Sequence, residues 1–295
     1  MTPGTGGQTA GGAGANPAVP DEEIAALAGF VRNNSRLFVL TGAGCSTASG
    51  IPDYRDAEGA WKRPPPMDFR TFMGSAGARQ RYWARGMIGW RRFGKAEPNA
   101  AHRALAMMQQ QGRIAMLVTQ NVDGLHEAAG SEDVIDLHGR MDLVRCMQCE
   151  RRHPRALVQE WLEALNPGWL ALEATMAPDG DADIEGIDFS TFLVPPCPVC
   201  GGILKPDVVY FGESVPPERV AAASAGLALA RGVLVVGSSL MVYSGFRFVT
   251  AASRAGQPIA AINLGHTRAD SMLALKVSRP CGDTLTALMA ALAAA

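Results

Sequence analysis

Two C-x-x-C pairs, Cys146-Met147-Gln148-Cys149 and Cys197-Pro198-Val199-Cys200, constrain this chain more than any other feature. Each pair sets two thiols on one tight turn, and a zinc ion prefers four such sulfurs in a tetrahedron. A disulfide scaffold is disfavoured, because such scaffolds belong to short secreted chains and this one has 295 residues. A thioredoxin-like redox site would need one pair at a helix start. The expectation is one closed, structural zinc site held by Cys146, Cys149, Cys197 and Cys200, a metal that does no catalysis. Residues 150–196 separate the pairs, more than the roughly 15–20 of a compact ribbon, so a long excursion must leave the ribbon between its knuckles.

Around that site the chain alternates short apolar runs with helical stretches. Residues 36–40, 114–118, 233–236 and 259–262 read as buried strands. Each runs directly into polar or glycine residues: Thr41-Gly42-Ala43-Gly44-Cys45-Ser46, Thr119-Gln120-Asn121-Val122-Asp123, Gly237-Ser238-Ser239 and Asn263-Leu264-Gly265. Helices are expected near 21–31, with Asp21 as cap, and over 100–110 and 217–230. This is the pattern of an α/β fold, a doubly wound, Rossmann-like parallel sheet with ligands at the strand C-termini. Residues 57–98, rich in Arg and aromatics, read as a helical insertion, and 141–205 as a zinc-binding insertion. Together they are expected to form a smaller domain, a zinc ribbon plus helices. The larger domain then comprises 21–56, 99–140 and 206–295.

Charge narrows the partners. With 27 Lys+Arg against 28 Asp+Glu the net charge is −1, which argues against a wholesale nucleic-acid or membrane-surface binder. No segment has the 18 or so uninterrupted apolar residues of a membrane span. Residues 1–20 hold glycine and proline without a charged side chain, unlike a secretory signal. They are expected to be a flexible tail on a cytoplasmic protein.

The loop from Gly42 to Gly50 has the small residues that let backbone approach a pyrophosphate. Gly-x-Gly alone is weak evidence, and Thr47 replaces the third glycine of the dinucleotide fingerprint. No acidic residue sits at a following strand end about 20 positions on, so an ordinary dehydrogenase is disfavoured. Gln120, Asn121 and Asp123 suit recognition of a carboxamide and ribose hydroxyls. Spacing does not choose between His126 and His138 as a general base, and either fits a satisfied structural histidine.

Taken together, these motifs resemble the sirtuins. The residues carrying the likeness are Gly42-Ala43-Gly44-Cys45-Ser46 through Gly50-Ile51-Pro52-Asp53-Tyr54-Arg55, Thr119 to His126, His138-Gly139 and the four cysteines. Lys205 to Glu213, Gly237-Ser238-Ser239-Leu240 and Cys281-Gly282-Asp283 follow in the family's order. The likeness spans residues 21–290. It is nearest to the class II sirtuins through Arg81-Tyr82-Trp83-Ala84-Arg85, Leu165-Asn166-Pro167, Ala177-Pro178-Asp179-Gly180-Asp181 and Val242-Tyr243-Ser244-Gly245.

The resemblance implies an NAD-consuming protein-lysine deacylase that releases nicotinamide and O-acyl-ADP-ribose from acylated-lysine proteins or peptides. It implies His138 as the base on a ribose hydroxyl and Asn121 as its catalytic companion. Asn121 and Asp123 would meet the carboxamide and ribose, with Ile51 and Tyr54 over the ring; Tyr54 stands where the family often has Phe. Gly42, Ala43, Gly44 and Ser46 would approach the phosphates, with Asp53 and Arg55 nearby. Gln120, Val122, Gly237, Ser238, Ser239, Asn263, Leu264, Gly265 and Cys281 complete the implied NAD contacts. Cys45, where many relatives carry an aliphatic residue, is expected to pack. Val209, Phe211, Gly212 and Tyr243 would hold the substrate peptide as an added strand.

Tyr82 and Arg85 carry the finer expectation. Their Y-x-x-R spacing resembles that of desuccinylating sirtuins, where it holds an acyl carboxylate, which implies a preference for acidic or branched acyl groups. The competing reading is that both simply pack or face water on a helix. Asp179, Asp181, Asp183, Glu185 and Asp188 are read as a solvated loop, because EF-hand positions 6 and 12 are not met. Two other functions stand beside deacylation. One is protein mono-ADP-ribosyl transfer from the same pocket. The other is a non-catalytic zinc-ribbon binding module, using the basic cluster Arg145, Arg151, Arg152, His153 and Arg155.

Overall fold

The computed structural model describes residues 21–56, 58–62, 65–171, 175–176, 182–183 and 186–294. The tail, residues 177–181 of the class II likeness, and Asp179, Asp181 and Glu185 of the acidic run lie outside the described residues.

Helix α1 (Asp21–Asn33) buries Ile24, Leu27, Ala28 and Val31, the face its spacing requires, and Asp21 lies within its first turn. Strand β1 (Leu37–Thr41) starts one residue later than the apolar run suggests. Arg36 is at φ 72°, a left-handed turn that the pleat cannot include, and buried Thr41 extends the far end. Two capped helices follow, α2 (Phe69–Gly74) and α3 (Ala76–Phe93); Asp68 accepts from Thr71 N and Ser75 from Ala78 N. Helix α4 (Ala100–Gln110) matches its expected span, and Asn99 and His102 form a reciprocal cap. Strand β2 (Ile114–Thr119), the single turn α5 (Leu125–Ala128) and the two-residue β3 (Ile135–Asp136) complete this half.

The small module then begins. Strands β4 (Gly139–Cys146) and β5 (Arg152–Pro154) precede α6 (Arg155–Leu165), and β6 (Thr175–Met176) pairs with β7 (Ala182–Asp183). Strand β8 (Leu204–Val208) returns to β4, giving a three-stranded antiparallel sheet in the order β5-β4-β8. Asp188 caps the turn after β7 by accepting from Ser190 N and Oγ. The second half of the main sheet alternates α7 (Pro217–Leu229), β9 (Val233–Val236), α8 (Tyr243–Arg254), β10 (Ile259–Ile262), β11 (Leu275–Val277) and α9 (Cys281–Ala293).

The main sheet is parallel, in the order β11-β10-β9-β1-β2-β3. Successive side chains alternate between its faces. Leu37, Val39, Leu234, Val236, Ala260 and Ile262 meet α1, α4 and α9, whereas Phe38, Leu40, Val233, Val235, Ile259 and Ala261 meet α7 and α8. Each fully buried Leu, Val, Ile or Phe contributes about 1.5–3 kcal/mol, so the sheet is sealed on both sides. A third cluster ties the two insertions together: Trp83, Ala84 and Met87 of α3 pack on Val144, Val158, Leu162, Phe192 and Leu204. The strand order turns between β1 and β9, where a doubly wound sheet opens its crevice.

Candidate active site

The loops leaving β1 and β9 meet at that turn through glycine. A Cβ on Gly42 would stand 2.8 Å from Ser238 Cβ, and one on Gly44 would stand 3.0 Å from Gly237 Cα. Gly237 itself, at φ 63°, presses against the Cys45 amide. Backbone therefore packs on backbone, with Gly42 N donating to Val236 O at 3.0 Å and Gly44 N to Gly237 O at 2.9 Å. Cys45 N and Ser46 N are likewise bonded, to Gly42 O and Ala43 O. The loop thus offers close approach to its backbone rather than a full row of open amides.

Above these loops lies a cavity of about 1160 Å³, larger than the roughly 300–1,000 Å³ of ordinary small-ligand pockets. Gly42, Ala43, Gly44, Asp53, Tyr54 and Arg55 line one wall, and Gln120, Asn121 and Val122 reach it from the end of β2. Gly237, Ser238 and Ser239, then Asn263, Leu264 and Cys281, line the far end. His138, Val209, Phe211, Gly212 and Tyr243 face the same space. Residues from seven separate segments of the sequence therefore share one cavity. A dinucleotide and an extended peptide both fit the donor set: small residues and hydroxyls at one end, an amide and an imidazole at the centre, exposed aromatics at the mouth.

Four expected contacts, Ser46, Ile51, Asp123 and Gly265, do not line the cavity. Ser46 and Asp123 stand behind Asn121 and hold it. Asn121 Nδ2 donates to Ser46 Oγ at 2.9 Å and to Gly42 O at 3.0 Å. Ser46 Oγ donates in turn to Asp123 Oδ2 at 2.7 Å. Burial raises the Asp123 pKa, partly offset by bonds from Leu125 N and Ser46. Ile51 is buried in an apolar cluster with Phe72, Phe93 and Tyr210.

The two candidate histidines separate cleanly. His126 is buried beneath β1, with Nε2 2.9 Å from Thr41 Oγ1. Burial lowers its pKa to about 3 and that of neighbouring His102 to about 4. His138 faces the cavity, and its Nδ1 lies 2.9 Å from the carbonyl of Gln120. A carbonyl only accepts, so Nδ1 carries the hydrogen. Burial, with Arg219 and Arg247 acting the same way, lowers the His138 pKa despite that bond. A neutral ring with its hydrogen on Nδ1 presents Nε2 as a proton acceptor, the form a general base needs.

Cys45, His102 and His126 also converge. His102 Nδ1 accepts from Asn99 N at 3.2 Å, which leaves its hydrogen on Nε2, directed toward Ser46. That nitrogen is a donor, and the trio is a packing cluster behind the cavity. Burial raises the Cys45 thiol well above its ordinary value and pushes Cys281 up to about 12, so both stay protonated.

Tyr82 and Arg85 do not line the cavity. Tyr82 packs edge-on to Phe72 and Trp83 and tilted against Tyr210, with ring centroids 5.3, 5.8 and 5.6 Å away. Of these rings, Tyr210 borders the cavity. Sequence reasoning missed Trp61 and Arg247, which do line it, as does Ser244 beside Tyr243. Trp61 lies 4.0 Å under the Arg55 guanidinium and edge-on to Phe211. Arg247 follows Tyr243 by one helical turn and covers its ring at 5.3 Å, a spacing readable from sequence once the helix is known.

The four cysteines form a second constellation. Cys146 Sγ lies 3.5 Å from Cys200 Sγ and Cys149 Sγ 3.8 Å from Cys197 Sγ. Zinc–sulfur bonds of about 2.3 Å in a tetrahedron give edges of about 3.8 Å, so the set fits zinc. Gln148 N and Cys149 N both donate to Cys146 Sγ at 3.5 Å, and a Cβ on Gly202 would meet that sulfur at 2.9 Å. Beside this site, Arg145 pairs with Glu150, Arg152 with Asp207, and Arg155 is buried against Gln159.

A model of the Sir2 family matches residues 42–244. An NAD-dependent protein deacetylase of Bordetella bronchiseptica is 68% identical over 89% of this chain and 96% of its own length. One from Xanthomonas axonopodis is 62% identical over 92% of this chain and 93% of its own. Among solved structures, a Sir2 protein with a p53 peptide and NAD+ has 28% identity and a TM-score of 0.73, covering 92% and 98% of the two chains. A Sir2 protein bound to an acetylated peptide gives 27% and 0.72, over 92% and 99%.

Proposed function

This chain belongs to the Sir2 family, and from that membership we propose how its cavity works as that of an NAD-dependent protein-lysine deacetylase. NAD is the co-substrate, and zinc is structural, held by the four cysteines. The observation that carries the active-site reading is the meeting of the Gly42–Gly44 loop, Asn121 and the proton-accepting His138 Nε2 in one cavity. NAD supplies an electrophilic ribose carbon once nicotinamide departs. Asn121, fixed by Gly42 O and Ser46, is placed to hold a carboxamide or ribose hydroxyl. His138 takes a proton at Nε2 while the Gln120 carbonyl holds Nδ1–H. Ser238, Ser239, Asn263 and Cys281 receive the adenosine end. Phe211, Gly212 and Tyr243 receive the acyl-lysine peptide. Closing aromatic side chains over such a site strengthens its electrostatics by excluding water.

The same reading divides the chain into a Rossmann-like domain of 21–56, 99–140 and 206–295 and a small domain of 57–98 and 141–205. It keeps the chain with the class II sirtuins. It also assigns acyl selectivity to Tyr82 and Arg85, supported by the packing of Tyr82 on the cavity-lining Tyr210. A buried Arg–carboxylate pair is strong enough to set selectivity.

The test is a set of acyl-lysine peptides with NAD, read by mass spectrometry for nicotinamide and O-acyl-ADP-ribose. His138→Ala should abolish turnover. ADP-ribosylated protein without O-acyl-ADP-ribose would instead identify a transferase. Faster turnover of glutaryl- than acetyl-lysine, lost in Arg85→Met, supports the acyl assignment; a clear acetyl preference in the wild type removes it.

A further inference from the structure

The lone pair of His138 Nε2 is already engaged. Ser244 Oγ lies 2.7 Å from it, the shortest polar contact the ring makes. Because Nδ1 carries the hydrogen, Nε2 accepts and the serine hydroxyl donates. Ser244 therefore stands to His138 as a nucleophile stands to its base, and the Gln120 carbonyl orients the base from its other side. Three groups with those roles make the arrangement by which a serine becomes reactive in acyl transfer.

The backbone around Ser244 fits the role. It occupies the second position of α8, a 12-residue helix. The first-turn amides of a helix have no carbonyl within it to meet, and they favour negative charge. Gly245 follows directly, and a Cβ there would stand 2.5 Å from Gln120 Oε1. The helix start thus docks on the residue whose carbonyl holds His138, which fixes serine and imidazole relative to each other. Ser244 also lines the cavity together with Phe211 and Tyr243. The charged groups that act on the ring are Arg219 of α7 and Arg247 of α8; both favour its neutral, proton-accepting form.

We propose that Ser244 and His138 form a serine–histidine dyad that accepts an acyl group from activated esters without NAD, a second activity of the same cavity. Ser244 Oγ attacks the ester carbonyl as its proton passes to Nε2, and the amides of Ser244 and Gly245 face the developing oxyanion. The carbon–oxygen bond to the leaving group breaks, and the leaving oxygen either takes the proton from Nε2 or departs as a phenolate while Nε2 gives its proton to solvent, so the ring is neutral again in both cases. Water then attacks the acyl-serine, again giving a proton to Nε2, and Ser244 Oγ recovers it. No oxidant or further reactant is needed.

The experiment uses the full-length, zinc-loaded protein and p-nitrophenyl acetate in the absence of NAD. Wild type should release p-nitrophenolate above the buffer rate, and rapid quenching should leave a 42-Da adduct (about one acetyl group) on the peptide containing Ser244. Ser244→Ala and His138→Ala should each lower the rate about 100-fold. Ser244→Cys should keep adduct formation, and saturating acetyl-lysine peptide should suppress it. Thermal melts and zinc content establish that each variant is folded. Equal hydrolysis by wild type and Ser244→Ala, or an adduct found only on other residues, overturns the dyad. The outcome is independent of the NAD-dependent reading. Deacetylation that survives His138→Ala would sink that reading while ester turnover still judges this one.

Discussion

Single residues separate this protein's histidines into base and filler. Burial and two arginines hold the His138 pKa below the ordinary 6.5, so the neutral, base-competent ring persists into mildly acidic solution. The acidic limb of kcat/KM should therefore lie below pH 6.5, and Arg247→Met, which removes one positive neighbour, should move it upward. A limb at or above 6.5 in the wild type would contradict that environment. His126 and His102 act on stability instead. Their folded pKa values are about 3 and about 4, against about 6.5 unfolded. Between about pH 4 and 6.5 the unfolded chain binds up to two more protons than the folded one, so stability falls on acidification by at most about 1.4 kcal/mol per pH unit for each ring. His126→Gln, whose amide can still reach Thr41, should flatten that slope by about one ring's share in urea titrations at pH 7, 6 and 5. Spacing alone could not rank His126 and His138, because both follow polar loops; the family resemblance chose His138. What separates them is depth: one lies under β1 and the other opens on the cavity. Tyr82 and Arg85 stand behind the cavity lining for a related reason, since helical spacing shows which face they share but not that Tyr210 stands in front of Tyr82.

At the scale of elements, legibility follows how many apolar residues a segment commits. Strands β9 and β10 fall on their expected spans because all four residues of each are buried on both faces. Strand β3 has two residues, and the β5-β4-β8 ribbon mixes charges with apolar positions, so neither had a readable period. The loop after β8 shows what the ribbon does for the site. Lys205 Nζ donates to Val208 O at 2.5 Å and Glu213 Oε2 at 3.0 Å and lies 4.6 Å from the Tyr210 ring centroid. Glu213 also accepts from Tyr210 N at 2.9 Å. This brace bends the backbone of Val209 to Gly212 toward the cavity. Lys205→Met leaves the carboxylate without its cation and should cost about 3 kcal/mol. It should also raise KM for peptide more than for NAD, and Lys205→Arg should largely restore both. Equal changes in the two KM values would show that the brace does not shape the peptide side.

Across the whole molecule, the four cysteines lie apart from the cavity lining, and β4 and β8 run from one to the other, with Cys146 and Leu204 in the zinc-side cluster and Met141 and Val208 at the cavity. All five tryptophans, Trp61, Trp83, Trp90, Trp161 and Trp169, fall within the two insertions. Trp83 is fully buried, and Trp161 and Trp169 pack on the same cluster that contains Cys146 and Cys197. The zinc ligands are therefore part of the small module's core, whereas the six-stranded sheet has its own two apolar faces. Metal-bound folding free energy in a cysteine site is large and is lost when the metal is removed. Chelation should consequently red-shift the emission of Trp83, Trp161 and Trp169 while far-UV circular dichroism keeps most of its parallel-sheet and helix signal. Deacetylase turnover should disappear in step with the fluorescence, because β8 carries the peptide loop out of the failing module. NAD binding, followed by calorimetry, should weaken less, since Gly42, Gly44, Ser238 and Asn263 are anchored on the main sheet. Simultaneous loss of both circular dichroism and fluorescence would mean that the two cores fold as one unit. The composition that made six cysteines conspicuous thus also makes the small module's unfolding separately visible, through tryptophans that the larger sheet does not contain.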